Sequence, residues 1–203
     1  MELSKALSCL PDYNPADTMG LKQAFKSLLR MAEPRLPQSE DPVSIVLLLR
    51  EPRFPTLEQL REAAGRAFEV TFTDAQNARH SVYQRGAIFT LANIGAHTLS
   101  FLFQTRPYFG NEPQHNREFE NSLRRDDQRQ ALAQHAAYMA IDYVKGNFDI
   151  DSRYVVLSKL CAKLYDANCV AIYLPAEHSL VPGREHAFAQ LKKIIAYRKV
   201  DVT

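Results

Sequence analysis

The chain has 203 residues, 46% of them hydrophobic and 24% charged, with a formal net charge of +2. That length suits one large domain or two small ones with a sizeable core, and the interspersed acids and bases exclude the concentrated basic face that nucleic acid needs. The three cysteines, Cys9, Cys161 and Cys169, lack metal-like spacing and read as reduced thiols of a cytoplasmic protein.

Glu2, Lys5 and Pro11 break the early apolar run Leu3, Ala6, Leu7, Cys9, Leu10 before it reaches signal-peptide length. No window approaches the roughly 20 apolar residues of a membrane span. A soluble chain without a membrane partner is expected. Asp17 or Thr18 can cap a helix to about Met31, with Leu21, Phe25, Leu28 and Leu29 on one face. Pro34, Pro37 and Pro42 then form a linker. Residues 1–42 are expected as a helical extension and Pro-rich linker, and residues 43–203 as a single domain.

Val43 to Leu49 is nearly all apolar and bounded by prolines, which predicts a central strand buried on both faces. A helix follows from Pro55 or Thr56 to about Phe68, with Leu57, Leu60, Ala64 and Phe68 on one side. Phe68 to Thr73 predicts a second strand. Gly86 to Thr105 predicts a hairpin: Leu99, Phe101 and Phe103 alternate with more polar residues, and Gly95 supplies the turn. Asn93 and His97 flank that turn as hydrogen-bonding strand ends. Pro107 stops the second strand near Thr105.

A loop from Arg106 to Asn116 precedes a charged helix from Arg117 to about Ala133, with Glu120 and Arg124 as i,i+4 partners. Ala136 to Val144 predicts a strand. Asp151 or Ser152 opens a helix to about Ala167 with the stripe Val156, Leu157, Leu160, Cys161, Leu164. Val170 to Leu174 is a last buried strand, and a final helix runs from about Arg184 to Tyr197. Val46, Leu48, Phe101, Phe103, Ile141 and Ile172 are expected in one core. The expected architecture is α+β: a mixed, largely antiparallel sheet with helices packed mainly on one face, drawn as a ferredoxin-like βαββαβ unit with an extra αβ pair.

Three segments, SIVLLLREPRFPTLEQLREA, AAYMAIDYV and VVLSKLCAKLYDANCVAIYLP, in that order resemble domain-of-unknown-function family 4261, uncharacterised bacterial α+β proteins. The similarity spans about Val43 to Val181. It implies an α+β fold in a bacterial protein and carries over no site residue. The strand AAYMAIDYV departs from the histidine-containing strand of that pattern, although His135 lies just before it.

The chain has no glycine-rich phosphate loop, no H-E-x-x-H and no G-x-S-x-G. His80, His97, His115, His135, His178 and His186 are scattered, so neither a metal nor a cofactor is expected. Cys161 and Cys169 lie within apolar patterns and read as core. Asp142 interrupts an apolar strand, where a carboxylate must be paired, solvated or on an open face. Arg106, Tyr108 and Phe109 suit either stacking on a planar ligand or partner, or a loop tucked onto the domain by its aromatics. Glu177 and His178 follow a core strand directly, where rigid scaffolds present polar groups. There His178 would line a cleft with Asp142 or the Arg106 loop and contact a ligand or transfer a proton. Two functional classes result. The first is a non-catalytic interaction or accessory protein with a protein partner. The second is a small hydrolase whose site is assembled from scattered His, Asp and Glu.

Overall fold

The computed structural model describes residues 43–85, 89–109, 119–197 and 200. The expected helix carrying Leu21 to Leu29, the proline linker and loop residues Gly110 to Asn116 lie outside these. In chain order the elements are β1 (Ser44–Leu49), α1 (Leu57–Phe68), β2 (His80–Arg85), β3 (Phe89–Ile94), β4 (His97–Gln104), α2 (Asp126–Gln134), β5 (Ala137–Lys145), α3 (Ile150–Leu164), β6 (Cys169–Leu174), β7 (Ser179–Pro182) and α4 (Arg184–Tyr197). A helical turn at 119–122 precedes α2, and a 3-10 turn, Pro175–Glu177, joins β6 to β7.

The strands form one seven-stranded open sheet in the order β2-β3-β4-β5-β1-β6-β7. Every ladder in it is antiparallel. The expectation of a mixed sheet is therefore corrected. The reason is topological: strands that run the same way are never neighbours. β5 and β6, joined through α3, lie on either side of β1, which opposes both.

The predicted strand from Phe68 to Thr73 is also corrected. α1 extends to Phe68, and Glu69 closes it in the left-handed conformation at φ 58° with its N–H bonded to the Gly65 carbonyl. What remains of the strand is one parallel bridge, Thr73 to Ser81.

β1 explains its own composition. All six of its residues are buried because both faces of the sheet are covered there. Ile45, Leu47 and Leu49 pack with Leu60 and Ala64 of α1, Val156, Leu157 and Leu160 of α3, and Ala187 and Leu191 of α4. Val46 and Leu48 point the other way, toward Phe119, Leu123 and Ala131. Three helices therefore cover the first face and α2 covers part of the second. The single expected core is two cores. Phe101, Ile141 and Ile172 lie in the first, Val46 and Leu48 lie in the second, and Phe103 is only half-buried at the edge of the first.

Local chemistry sets the helix ends. Thr56 and Gln59 form a reciprocal capping box at α1: the Thr56 N–H donates to Gln59 Oε1 at 2.8 Å and the Gln59 N–H to Thr56 Oγ1 at 3.2 Å. Asp149 caps α3 by accepting the Ser152 N–H at 3.0 Å, two residues before the expected start. The charged helix predicted from Arg117 is interrupted within its described part. Leu123 turns inward, Arg125 is extended at φ −114°, and α2 begins only at Asp126. Gly95 holds φ 62° between β3 and β4, as the hairpin requires.

Candidate functional site

The two edges of the sheet differ. β7 is four residues long and ends at Pro182, which has no N–H to offer a neighbour. β2 is six residues long. Thr73 covers its first half: the Thr73 N–H donates to the His80 carbonyl at 3.1 Å, and the Val82 N–H donates to the Thr73 carbonyl at 2.9 Å. Those two bonds fix which way the backbone faces. His80 and Val82 turn their backbone groups outward, so Gln84 does the same, two residues on. The Val82 carbonyl and both backbone groups of Gln84 face outward, and among the described residues no strand pairs with them.

Gln84 also lines a groove of about 370 Å³ on the first face. In register, Gln84 pairs with Thr90 and Thr90 with Phe101. The floor continues from Thr90 to Phe103, and Pro55, Leu57 and Leu60 at the start of α1 form the wall. No lining side chain is charged. Phe103 is held from two sides: the Phe54 ring centroid is 5.3 Å away and the Phe101 ring stacks at 6.3 Å. The capping box fixes where α1 starts, and so where Leu57 and Leu60 stand. The groove is apolar, rimmed by amide and hydroxyl groups, and continuous with backbone that no strand pairs among the described residues. That combination suits an extended peptide.

The sequence-predicted site residues occupy two other places. Asp142 is half-buried on the second face, where it accepts the Ser44 hydroxyl at 2.5 Å across the β1–β5 register. Ser100 faces it from β4. Tyr108 lies close enough to add its influence. Burial, then Tyr173 and Tyr138, then the Asp142 charge push its phenol upward. The Tyr108 ring meets Tyr138 at 4.9 Å and Tyr173 at 5.4 Å, and Phe109 stacks on Phe119 at 4.2 Å. The described part of the loop, Arg106 to Phe109, is thus tucked onto the sheet by its aromatics, with Arg106 half-buried at its start.

Glu177 and His178 are exposed in the tight connection from β6 to β7, where His178 is left-handed at φ 48°. No hydrogen bond, ion pair or ring contact among the described residues joins His178 to Asp142, Arg106 or Tyr108. Asp142 and Tyr108 therefore both belong to the second face, and His178 belongs to the connection between β6 and β7.

Among the described residues, burial sets the state of both cysteines and of His97. Burial pushes the Cys169 thiol up to about 12 and raises Cys161 further, opposite to what a thiolate nucleophile needs. Burial likewise pushes His97 down to about 4. Among the described residues no three of His, Cys, Asp and Glu gather as metal ligands, and no helix is long and apolar enough to cross a membrane.

No protein-family model, curated protein or solved structure matches this chain.

Sequence reasoning missed the open half of β2. Ser81 to Tyr83 reads as the start of a strand continuing into the hairpin, whereas His80–Arg85 is a separate strand paired antiparallel with β3. Only the pairing of Thr73 reveals which backbone groups remain outward.

Proposed function

We propose that this protein is a non-catalytic interaction module that takes an extended segment of a protein partner along the open half of β2. The carrying observation is that Gln84 belongs both to the edge left unpaired among the described residues and to the uncharged groove beside it. Backbone bonds to Val82 and Gln84 supply affinity, and an apolar side chain entering between Leu57 and Phe103 supplies selectivity. The other edge is too short and too proline-blunted for the same role.

Proline at position 84 tests this. It removes the outward N–H while keeping the inward ladder to β3. Peptides selected from a displayed library should shift the amides of Val82 and Gln84 and lose binding in Gln84→Pro. Selected peptides that bind Gln84→Pro equally and leave β2 undisturbed would overturn the reading. So would self-association through β2, which would make a second copy the occupant.

The sheet supports a ferredoxin-like reading as well. β1–α1–β4 and β5–α3–β6 supply the two βαβ halves in the spatial order β6-β1-β5-β4, with both helices on the first face. β2 and β3 then form an insertion that extends one edge, and β7 with α4 extends the other. On this reading the proposed docking edge belongs to the insertion. The resemblance to family 4261 agrees with an α+β domain and adds no site.

A further inference from the structure

Arg50 follows β1 and Arg184 opens α4, 134 positions apart by subtraction of their numbers, yet both line one cleft of about 370 Å³ between α2 and the start of β6. The backbone holds them there. The Arg50 N–H donates to the Asn168 carbonyl at 2.8 Å, and the Gly183 N–H donates to the Val170 carbonyl at 3.1 Å. The two arginines thus flank Cys169 from opposite sides. Asn168 stiffens the Arg50 side further, with its amide donating to the Glu51 carbonyl at 2.9 Å and accepting the Glu51 N–H at 3.0 Å.

The floor of the cleft is buried: Ala131, Cys169, Val170 and Pro182. Its rim carries Gln130 and Gln134, which project from one side of α2 at i,i+4 spacing, and His186. Neither Arg50 nor Arg184 has a carboxylate partner among the described residues. Other arginines are matched: Arg53 with Glu51 at 3.0 Å and Arg129 with Asp126 at 2.7 Å. The one carboxylate on the rim, Asp127, is engaged by Arg125, whose hydrogen bond holds it below the usual carboxylate range. The Arg184 guanidinium rests 5.4 Å from the Phe188 ring centroid, a contact that leaves its donors available. The cleft is therefore lined by two arginines with no carboxylate partner among the described residues and by two glutamines, over a buried floor.

We propose that this cleft binds a small molecule carrying a phosphate group. A phosphate monoester is close to dianionic at neutral pH, which matches two guanidiniums. Each guanidinium fork presents paired donors to its oxygens. The volume lies at the small end of ligand pockets, which fits a compact phosphorylated metabolite.

The experiment titrates the full chain with inorganic phosphate and with glycerol 3-phosphate, followed by amide shifts and calorimetry. Succinate serves as a carboxylate control. Both phosphate probes should shift the amides of Asn168, Val170 and Gly183 saturably. Arg50→Ala and Arg184→Ala should each weaken binding about ten-fold or more, with thermal unfolding unchanged because both side chains are exposed. Arg66→Ala, at a position paired with Glu62 outside the cleft, should bind as the parent does. Absence of a saturable shift would overturn the proposal. So would binding that survives the double substitution of Arg50 and Arg184, or succinate binding as tightly as phosphate.

Discussion

His97 and Tyr143 share a hydrogen bond of 2.8 Å between Nδ1 and the phenol oxygen, within the first core. The imidazole also stacks on Phe148 with centroids 4.0 Å apart, and it is 1% exposed. Its other nitrogen, Nε2, is buried without a partner among the described residues. A second proton would place a charge in that apolar pocket, so burial pushes the group down to about 4. In the unfolded chain the same imidazole titrates near about 6.5. The folded value is the depressed one, so the unfolded chain binds more protons between the two values. The contribution of neutral His97 is fully present above about pH 6.5 and is lost as pH falls toward about 4. The difference of about 2.5 units corresponds to roughly 3 kcal/mol. Urea midpoints measured from pH 7.5 to 4.5 should fall more steeply for the parent than for His97→Phe. Parallel slopes would show that His97 is protonated in the folded state at ordinary values.

Gly146 makes room for that pair. It holds φ 138°, and a Cβ built there would stand 2.1 Å from the Tyr143 hydroxyl and 3.1 Å from the Ala96 carbonyl. Gly146→Ala therefore strains the backbone and displaces the phenol from His97. A loss of about 2 kcal/mol or more is expected, read as a lower denaturant midpoint at unchanged m-value. A loss under about 0.5 kcal/mol would mean that the turn relaxes without disturbing Tyr143.

Phe101 lies at the centre of β4 with 1% of its surface exposed, and it carries the stack that supports Phe103 in the proposed groove. Phe101→Ala should cost roughly 3–5 kcal/mol. Phe103→Ala should cost less, because that side chain is half-buried, while enlarging the groove. Equal losses for the two would place Phe103 in the core.

Composition and periodicity made the elements legible because burial leaves a direct imprint on side-chain type. The unbroken apolar run of β1 announced a strand covered on both faces, and Gly95 announced its turn. Neighbour relations left no such imprint. Strand direction depends on which strand is inserted between β5 and β6, and nothing in either strand's own sequence specifies that β1 lies there. The Phe68–Thr73 segment misled because Phe68 and Phe72 are both buried in the first core, and two aromatics four apart serve the end of a helix and its exit turn as well as a strand. Asp142 was legible as a carboxylate needing a partner, and Ser44 is one. The convergence of Arg50 and Arg184 was not legible, since it exists only through the backbone bonds to Asn168 and Val170.

His135 anchors the aromatic loop to the second face, and it provides the last test. Its Nε2 accepts the backbone N–H of Tyr108 at 3.1 Å. That nitrogen is therefore unprotonated, so Nδ1 carries the hydrogen and donates it to the Leu132 carbonyl at the end of α2. One imidazole thus ties the loop after β4 to the helix before β5. Burial lowers its affinity for a second proton, which keeps Nε2 available as an acceptor near neutral pH. His135→Ala removes both bonds and leaves the Tyr108 N–H and the Leu132 carbonyl without those partners, for a loss of about 1–3 kcal/mol. The local effect is more specific than the global one. Tyr108 keeps its contacts with Tyr138 and Tyr173, so the loop should remain docked while its amide opens. Hydrogen exchange at the Tyr108 amide should quicken well beyond the change at β1 amides, and His135→Gln, which offers an acceptor of similar reach, should restore part of the protection. Exchange at Tyr108 that rises only in step with global stability would show that the rings alone hold the loop.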